Sequence, residues 1–170
     1  MNPRLDLEKS IQKQRLIYKM SLGTFFIRVF DNYLWIILIL LPIAVILNKQ
    51  NNIGFKGILF FFVCQILLII GLYFVNKLVV IEGTNQVENR KKIISIVGEK
   101  FPKLKIDDTG QRIIRAKIDT GLIKWGKKIT IIFDEQNILI NFTTLGRNNM
   151  KSPIHSIYNY FVMLRLKKHF

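Results

Sequence analysis

The chain is poor in the residues on which most binding and catalytic chemistry depends, with one cysteine, two histidines and four prolines among 170 residues. The lone Cys64 excludes an intramolecular disulfide framework and any cysteine-based zinc site. His155 and His169 have neither a cysteine partner nor a helical His-Glu pairing, so they give no metal-ligand spacing and read as helix-surface residues. Gly83 to Gln86 (GTNQ) and Asp108 to Gln111 (DTGQ) lack the P-loop lysine and the glycine spacing of a dinucleotide turn. No serine or threonine pairs with a base in the sequence. Asp107 and Asp108 are adjacent carboxylates, the raw material of acid-base or magnesium chemistry, but directly before Thr109 and Gly110 they read as a turn. The expectation is a non-enzymatic protein without a cofactor.

Acidic residues are also scarce: eleven oppose twenty-six lysines and arginines, for a net charge of +15. Charge is absent altogether from two stretches. Tyr33 to Leu47 and Gly57 to Val75 carry none, and from Tyr33 to Val75 the only charged side chains are Lys49 and Lys56. With the residues from about 29 added to the first, each approaches the ~20 residues that cross ~30 Å of hydrocarbon. Pro42 adds a mild kink to the first. The short polar link between them makes an antiparallel transmembrane hairpin, about 29–47 and 57–75. Basic residues before the first helix (Arg4, Lys9, Lys13, Arg15, Lys19, Arg28) and Lys77 after the second predict that both termini are cytoplasmic, in a multi-pass protein of the inner membrane. Tyr33, Trp35 and Tyr73 fall where rings prefer the headgroup layer. Gln65 is expected to form an interhelical hydrogen bond and Cys64 to pack as a small apolar residue. The N-terminal arm, 1–28, carries Leu7, Ile11, Leu16, Ile17 and Met20 in loose helical spacing; it either lies in the headgroup layer or packs on the cytoplasmic domain.

Residues 83–170 read as a small α+β domain: a helix, a three- to four-stranded antiparallel meander and a closing helix. Asn85 and Glu88 have capping-box spacing, and Val87, Ile93, Ile94, Val97 and Phe101 make an apolar face, predicting a helix over Gln86 to Lys100. Strands are predicted over Lys103–Asp107, Arg112–Asp119, Lys128–Asp134 and Asn137–Thr143, with one buried face. Ser152 and Pro153 predict the start of the last helix, whose Ile154, Ile157, Tyr158, Phe161 and Leu164 should cover the sheet.

From Ala116 to Gly146 the run AKIDTGLIKWGKKITIIFDEQNILINFTTLG, with its Trp125-Gly126 pair, resembles the cytoplasmic domain of a loosely defined group of uncharacterised bacterial membrane-anchored proteins. In that group a basic-hydrophobic strand, a Ser-Trp-Gly or similar turn, two further strands and a closing helix follow in order. The resemblance covers about 85–168 and implies fold and anchoring, with no activity attached; Arg147 to Lys151 departs from its pattern. Eighteen cations oppose eight acids from Lys77 onward. The candidate interaction surface is Arg115, Lys117, Lys124, Trp125, Lys127 and Lys128. Its expected partners are a lipid bilayer with anionic headgroups, or an unidentified protein. A membrane-anchored interaction module or accessory subunit, its basic domain against the membrane surface, is therefore the expected function. The alternative is a membrane-tethered nucleic-acid-binding protein, with Trp125 stacking on a base, or an enzyme of unknown type.

Overall fold

The computed structural model describes residues 4–19, 37, 40, 43, 55–108, 112–118, 125–146 and 150–170. Its centre is a hairpin of β4 (Gly126–Asp134) and β5 (Asn137–Leu145), paired without a break from Gly126 opposite Leu145 to Asp134 opposite Asn137. Glu135 turns the hairpin with φ of 49°, the left-handed backbone that two-residue hairpin loops require. Both strands are apolar on successive residues, so both faces of the sheet need covering. Three more strands complete an antiparallel sheet in the order β1-β5-β4-β3-β2, with β1 (Val79–Glu82), β2 (Lys105–Asp108) and β3 (Ile113–Ile118).

One face buries Val79, Ile81, Ile114, Ala116, Ile129, Ile131, Phe133, Ile138, Ile140 and Phe142 beneath two helices. Helix α3 (Gln86–Lys100) contributes Ile93 and Val97, and α4 (Ser156–Lys168) contributes Met163. The cap of α3 is as its sequence predicts: the Asn85 side chain accepts from the backbone N–H of Glu88 at 2.9 Å. Its phase is set by Ile93 and Val97, whereas Val87 is exposed. Buried Asn89 ties α3 to the sheet by accepting from Thr84 N–H and donating to Gln136 O, each at 3.0 Å.

The N-terminal arm covers the second face. Leu5 and Leu16 bury against Leu78, Ile132 and Leu139, with Leu7, Ile11 and Tyr18 beside them. Asp6 caps the short α1 (Leu7–Gln12), and Gln14, at φ of 46°, turns the chain back. Leu16 N–H then donates to Asn76 O at 2.8 Å, and Leu78 N–H to Gln14 O at 2.9 Å. The buried Ser10 hydroxyl donates to Asp6 O at 2.5 Å and accepts from Ile17 N–H at 2.9 Å. Of the two placements the sequence leaves open for the arm, the fold adopts packing on the domain.

Several expectations are corrected. Among the described residues one helix, α2 (Phe55–Phe74), is long and apolar enough to cross a membrane, and 6% of that span is buried. The first predicted segment, about 29–47, lies outside the described residues except for Ile37, Leu40 and Ile43, which are helical and exposed. Its charge-free core falls short of the ~20 residues a crossing needs and contains a proline. The two-helix transmembrane hairpin is not evident in the fold. The multi-pass, inner-membrane placement and the cytoplasmic position of both termini, which were deduced from that hairpin, fall with it. Arg28, Asp31, Tyr33, Trp35, Pro42 and Lys49 also lie outside the described residues.

The three- to four-stranded meander is likewise replaced by five strands. The extra strand, β1, comes from the segment expected to be a connector; its Ile81 sits opposite Ile138 on β5. The last helix begins at Ser156 with no side-chain cap, and its buried residues are Ser156, Asn159, Met163 and Leu166. Ile154, Tyr158 and Phe161, expected to cover the sheet, face outward. Asn159 occupies the core side because its amide exchanges hydrogen bonds with the Thr144 hydroxyl at 3.0 and 3.2 Å, which a hydrophobic count does not register.

Two truncations test the two covers. Phe133→Ala should cost ~3–5 kcal/mol and Leu16→Ala ~2–5 kcal/mol, whereas Val87→Ala should stay within ~0.5 kcal/mol. Denaturant unfolding of the full chain in detergent measures all three, and a negligible loss at Leu16 would mean that the arm does not hold the second face.

Candidate functional site

The predicted interaction residues divide between the two faces and one end of the sheet. Arg115 and Lys117 on β3 and Lys128 on β4 lie on the arm's face, in the register Lys105 opposite Lys117, Lys117 opposite Lys128 and Lys128 opposite Thr143. Four adjacent strands thus present three lysines and a threonine in one row. Arg115 stands one step along β3, between Asp107 on β2 and Thr130 on β4. Lys105 does not stand out in the sequence, because pairing across strands is invisible there. Lys127 points to the helical face, with its ammonium 6.0 and 5.9 Å from the ring centres of Phe101 and Phe142. Trp125 packs on the His155 ring, with centroids 4.8 Å apart, at the end of β4. Lys124 lies outside the described residues.

Burial holds the Lys128 ammonium below its ordinary pKa, and the charges of Arg115 and then Lys117 add to the effect. Like charges directly across a sheet repel. Lys128 therefore carries its charge against both burial and its cationic neighbours.

Charge is polarised along the strands. The Gly126–Leu145 end of the sheet holds Lys105, Lys117, Lys127 and Lys128, with Lys151 bridged to Leu145. The opposite end holds Glu82, Asp108, Asp134 and Glu135. Two cations are paired there, Arg90 with Asp108, and Arg112 with Asp134 at 3.0 Å and Glu8 at 3.2 Å, and Lys91 and Lys92 stand near Glu82.

Helix α2 leaves the domain at the basic end. A Cβ on Gly71 would collide with the Pro153 carbonyl, and Gly71 O accepts from the Ser156 hydroxyl at 2.5 Å. Phe74 packs at a tilt on Tyr160 with centroids 4.6 Å apart. Arg15 donates to Tyr73 O at 3.0 Å and lies over the Tyr73 ring; Lys151 donates to the Asn76 amide oxygen at 2.5 Å. Around this base, Trp125, Ile154, Tyr158 and Phe161 are 55, 68, 64 and 56% exposed, and the apolar surface of α2 itself is open. In this exposed apolar collar Trp125 is already a candidate surface residue from the sequence, whereas the exposure of Ile154, Tyr158 and Phe161 runs against the sequence pattern, which puts them on the sheet.

Catalytic alternatives find little in the geometry. Asp107 faces Arg115 on one side of the sheet while Asp108 pairs with Arg90 on the other, so the two carboxylates do not form a dyad. The buried Ser152 hydroxyl meets His155 Nδ1 at 2.7 Å, a contact the sequence did not reveal, but the ring's other side packs against Trp125 and no carboxylate orients it among the described residues. Among those residues no group of three or more His, Cys, Asp or Glu side chains is placed to hold a metal.

No family model, curated protein or solved structure matches the chain, so its fold and charge carry the functional reading alone.

Lys128 supplies a pH test. Its folded-state pKa lies below the unfolded value, so the folded state carries the charge penalty at neutral pH and stability rises as pH climbs from the lowered pKa toward 10.5. Lys128→Met should therefore stabilise the protein at pH 7 by ~0.2–1 kcal/mol for each like-charge pair removed. The gain should shrink as pH nears 10.5, and thermal unfolding across that range would expose a constant gain if the charge on Lys128, desolvated by burial and repelled by Arg115 and Lys117, were not its source.

Proposed function

We propose that this protein is a non-enzymatic interaction module anchored to a lipid bilayer through α2, with the basic end of its α+β domain turned toward anionic headgroups. The observation that carries the reading is a coincidence of position: the exposed apolar helix emerges at the same end of the sheet that gathers the lysines, while the acids gather at the other. A helix apolar on all sides is stable only when covered, and within the protein α2 is almost uncovered. Cations near an anionic surface each contribute ~1 kcal/mol. Trp125 and Tyr158 in the collar, with the exposed Tyr73 on α2, carry the amphipathic rings that suit a headgroup layer. Nucleic-acid binding has less support, because the Trp125 ring at this end already packs at a 50° tilt against His155.

Flotation of the full chain, synthesised in the presence of vesicles, tests anchor and charge separately. The wild-type chain should stay with neutral and anionic vesicles even at 1 M salt, where the Debye length is ~3 Å. A Phe60→Glu, Leu67→Glu variant should leave neutral vesicles but remain on anionic ones at ~0.05 M salt and dissociate as salt rises. Loss of the wild-type chain from neutral vesicles would refute the anchor; absence of any anionic preference in the variant would refute the basic surface.

A further inference from the structure

We propose that the lysine row on the arm's face of the sheet, Lys105, Lys117 and Lys128 with Arg115 beside it, is a binding site for the phosphomonoester headgroup of an anionic lipid. The proposal rests on the bilayer-facing reading above and adds to it a defined ligand and a defined place. Diffuse attraction needs only net charge, which surface lysines in any arrangement supply. Here the register sets Lys105, Lys117 and Lys128 directly opposite one another on three neighbouring strands. Directly opposite residues have Cβ atoms about 5 Å apart, close enough for several ammonium groups to reach the oxygens of one phosphate. Arg115 adds a planar fork that pairs with phosphate through two parallel hydrogen bonds.

The surroundings favour an anion. Lys128 is half-buried, its positive charge lies in a region of reduced solvent, and a charge so placed attracts an opposite charge more strongly than one in bulk water. The neutral floor beside it is Thr130 and Thr143, both buried. Asp107 on β2 stands opposite Arg115, one step along from the lysine row.

Ligand class follows from charge density and position. A phosphomonoester carries a charge between one and two at neutral pH, as a phosphorylated side chain does. A phosphodiester, in a lipid or in nucleic acid, carries one, so a compact cluster of three ammonium groups and a guanidinium discriminates in favour of the monoester. The row lies two residues in from the Gly126–Leu145 edge, about 7 Å from the end of the sheet where α2 leaves. That distance places it within reach of a headgroup at the surface in which α2 is embedded.

The test is native mass spectrometry of the full chain released from detergent micelles holding equal amounts of phosphatidic acid and phosphatidylglycerol. Wild type should retain phosphatidic acid about tenfold more than phosphatidylglycerol. Lys117→Gln with Lys128→Gln should erase the preference, Lys128→Arg should keep it, and Lys13→Gln with Lys91→Gln, which removes the same charge from exposed positions elsewhere, should leave it intact. Equal retention of the two lipids by wild type, or equal loss in both double variants, would overturn the site in favour of diffuse attraction. Inorganic phosphate is titrated into the same lipid-free proteins. Phosphate binding that depends on Lys117 and Lys128, without lipid retention, would overturn the lipid source and leave a soluble phosphate ligand. Failure of the anchor itself appears separately, as release of the wild-type chain from neutral vesicles in flotation.

Discussion

The constraint on which the rest of the structure depends is the β4–β5 hairpin, whose residues are apolar on both sides. Ile131, Ile132 and Phe133 follow one another on β4, and Ile138, Leu139 and Ile140 on β5, and all six are buried. A sheet with one buried face needs one layer over it, whereas this hairpin needs two. Helices α3 and α4 supply the first. The second comes from the N-terminal arm, which must return from the start of the chain to reach Ile132 and Leu139. Its fixation brings Arg15 against Tyr73 and pairs it with Lys77, so part of the basic N-terminus becomes the base of α2 instead of a free tail.

That dependence explains what could be read from the sequence. Local signals held: the Asn85 cap, the span of α3, and the alternation that puts Ile129, Ile131 and Phe133 on one face are set by neighbours within a few residues. The second buried face was also written in the ILINF run, but an unbroken apolar run does not say what covers it. The arm could be placed only by contacts about sixty residues apart in sequence, such as Leu16 with Asn76. The phase of α4 was misread because Asn159 and Ser156, both polar, are held inside by specific partners, Thr144 and Gly71. Hydrophobic spacing assigned the core side to Ile154, Tyr158 and Phe161, and a pattern that ignores hydrogen bonds had no means to choose otherwise. The transmembrane hairpin failed for a related reason: a charge-free run establishes the capacity to enter lipid, not the pairing of two such runs.

The candidate surface was legible as composition and illegible as geometry. Arg115, Lys117 and Lys128 stood out as basic residues near Trp125, but the sequence cannot show that Lys117 is flanked by Lys105 on one side and Lys128 on the other. It also cannot show that Lys127, adjacent to Lys128, belongs to the opposite face and serves Phe101 and Phe142. Period-two alternation separates these neighbours into different environments. One extends an aromatic cluster; the other joins a repulsive row. Repulsion of this kind works against folding.

The attachment of α2 gives that surface a direction. Gly71 sits three residues before the end of the helix, about 5 Å along its axis, and is closed against Pro153 with no room for a side chain. Beyond the helix, Asn141 donates to the carbonyls of Val75 and Lys77 at 3.2 and 2.8 Å, so the chain enters β1 without a loose linker. A domain hung on a flexible tether would present every face to a membrane in turn. Here the last turn of the apolar helix is itself part of the fold, and whatever surface surrounds that helix must meet Pro153, Ile154 and their neighbours at the base of α4. Lipid around α2 would therefore fix which side of the domain it meets, and the lysine row lies on strands that end on that side.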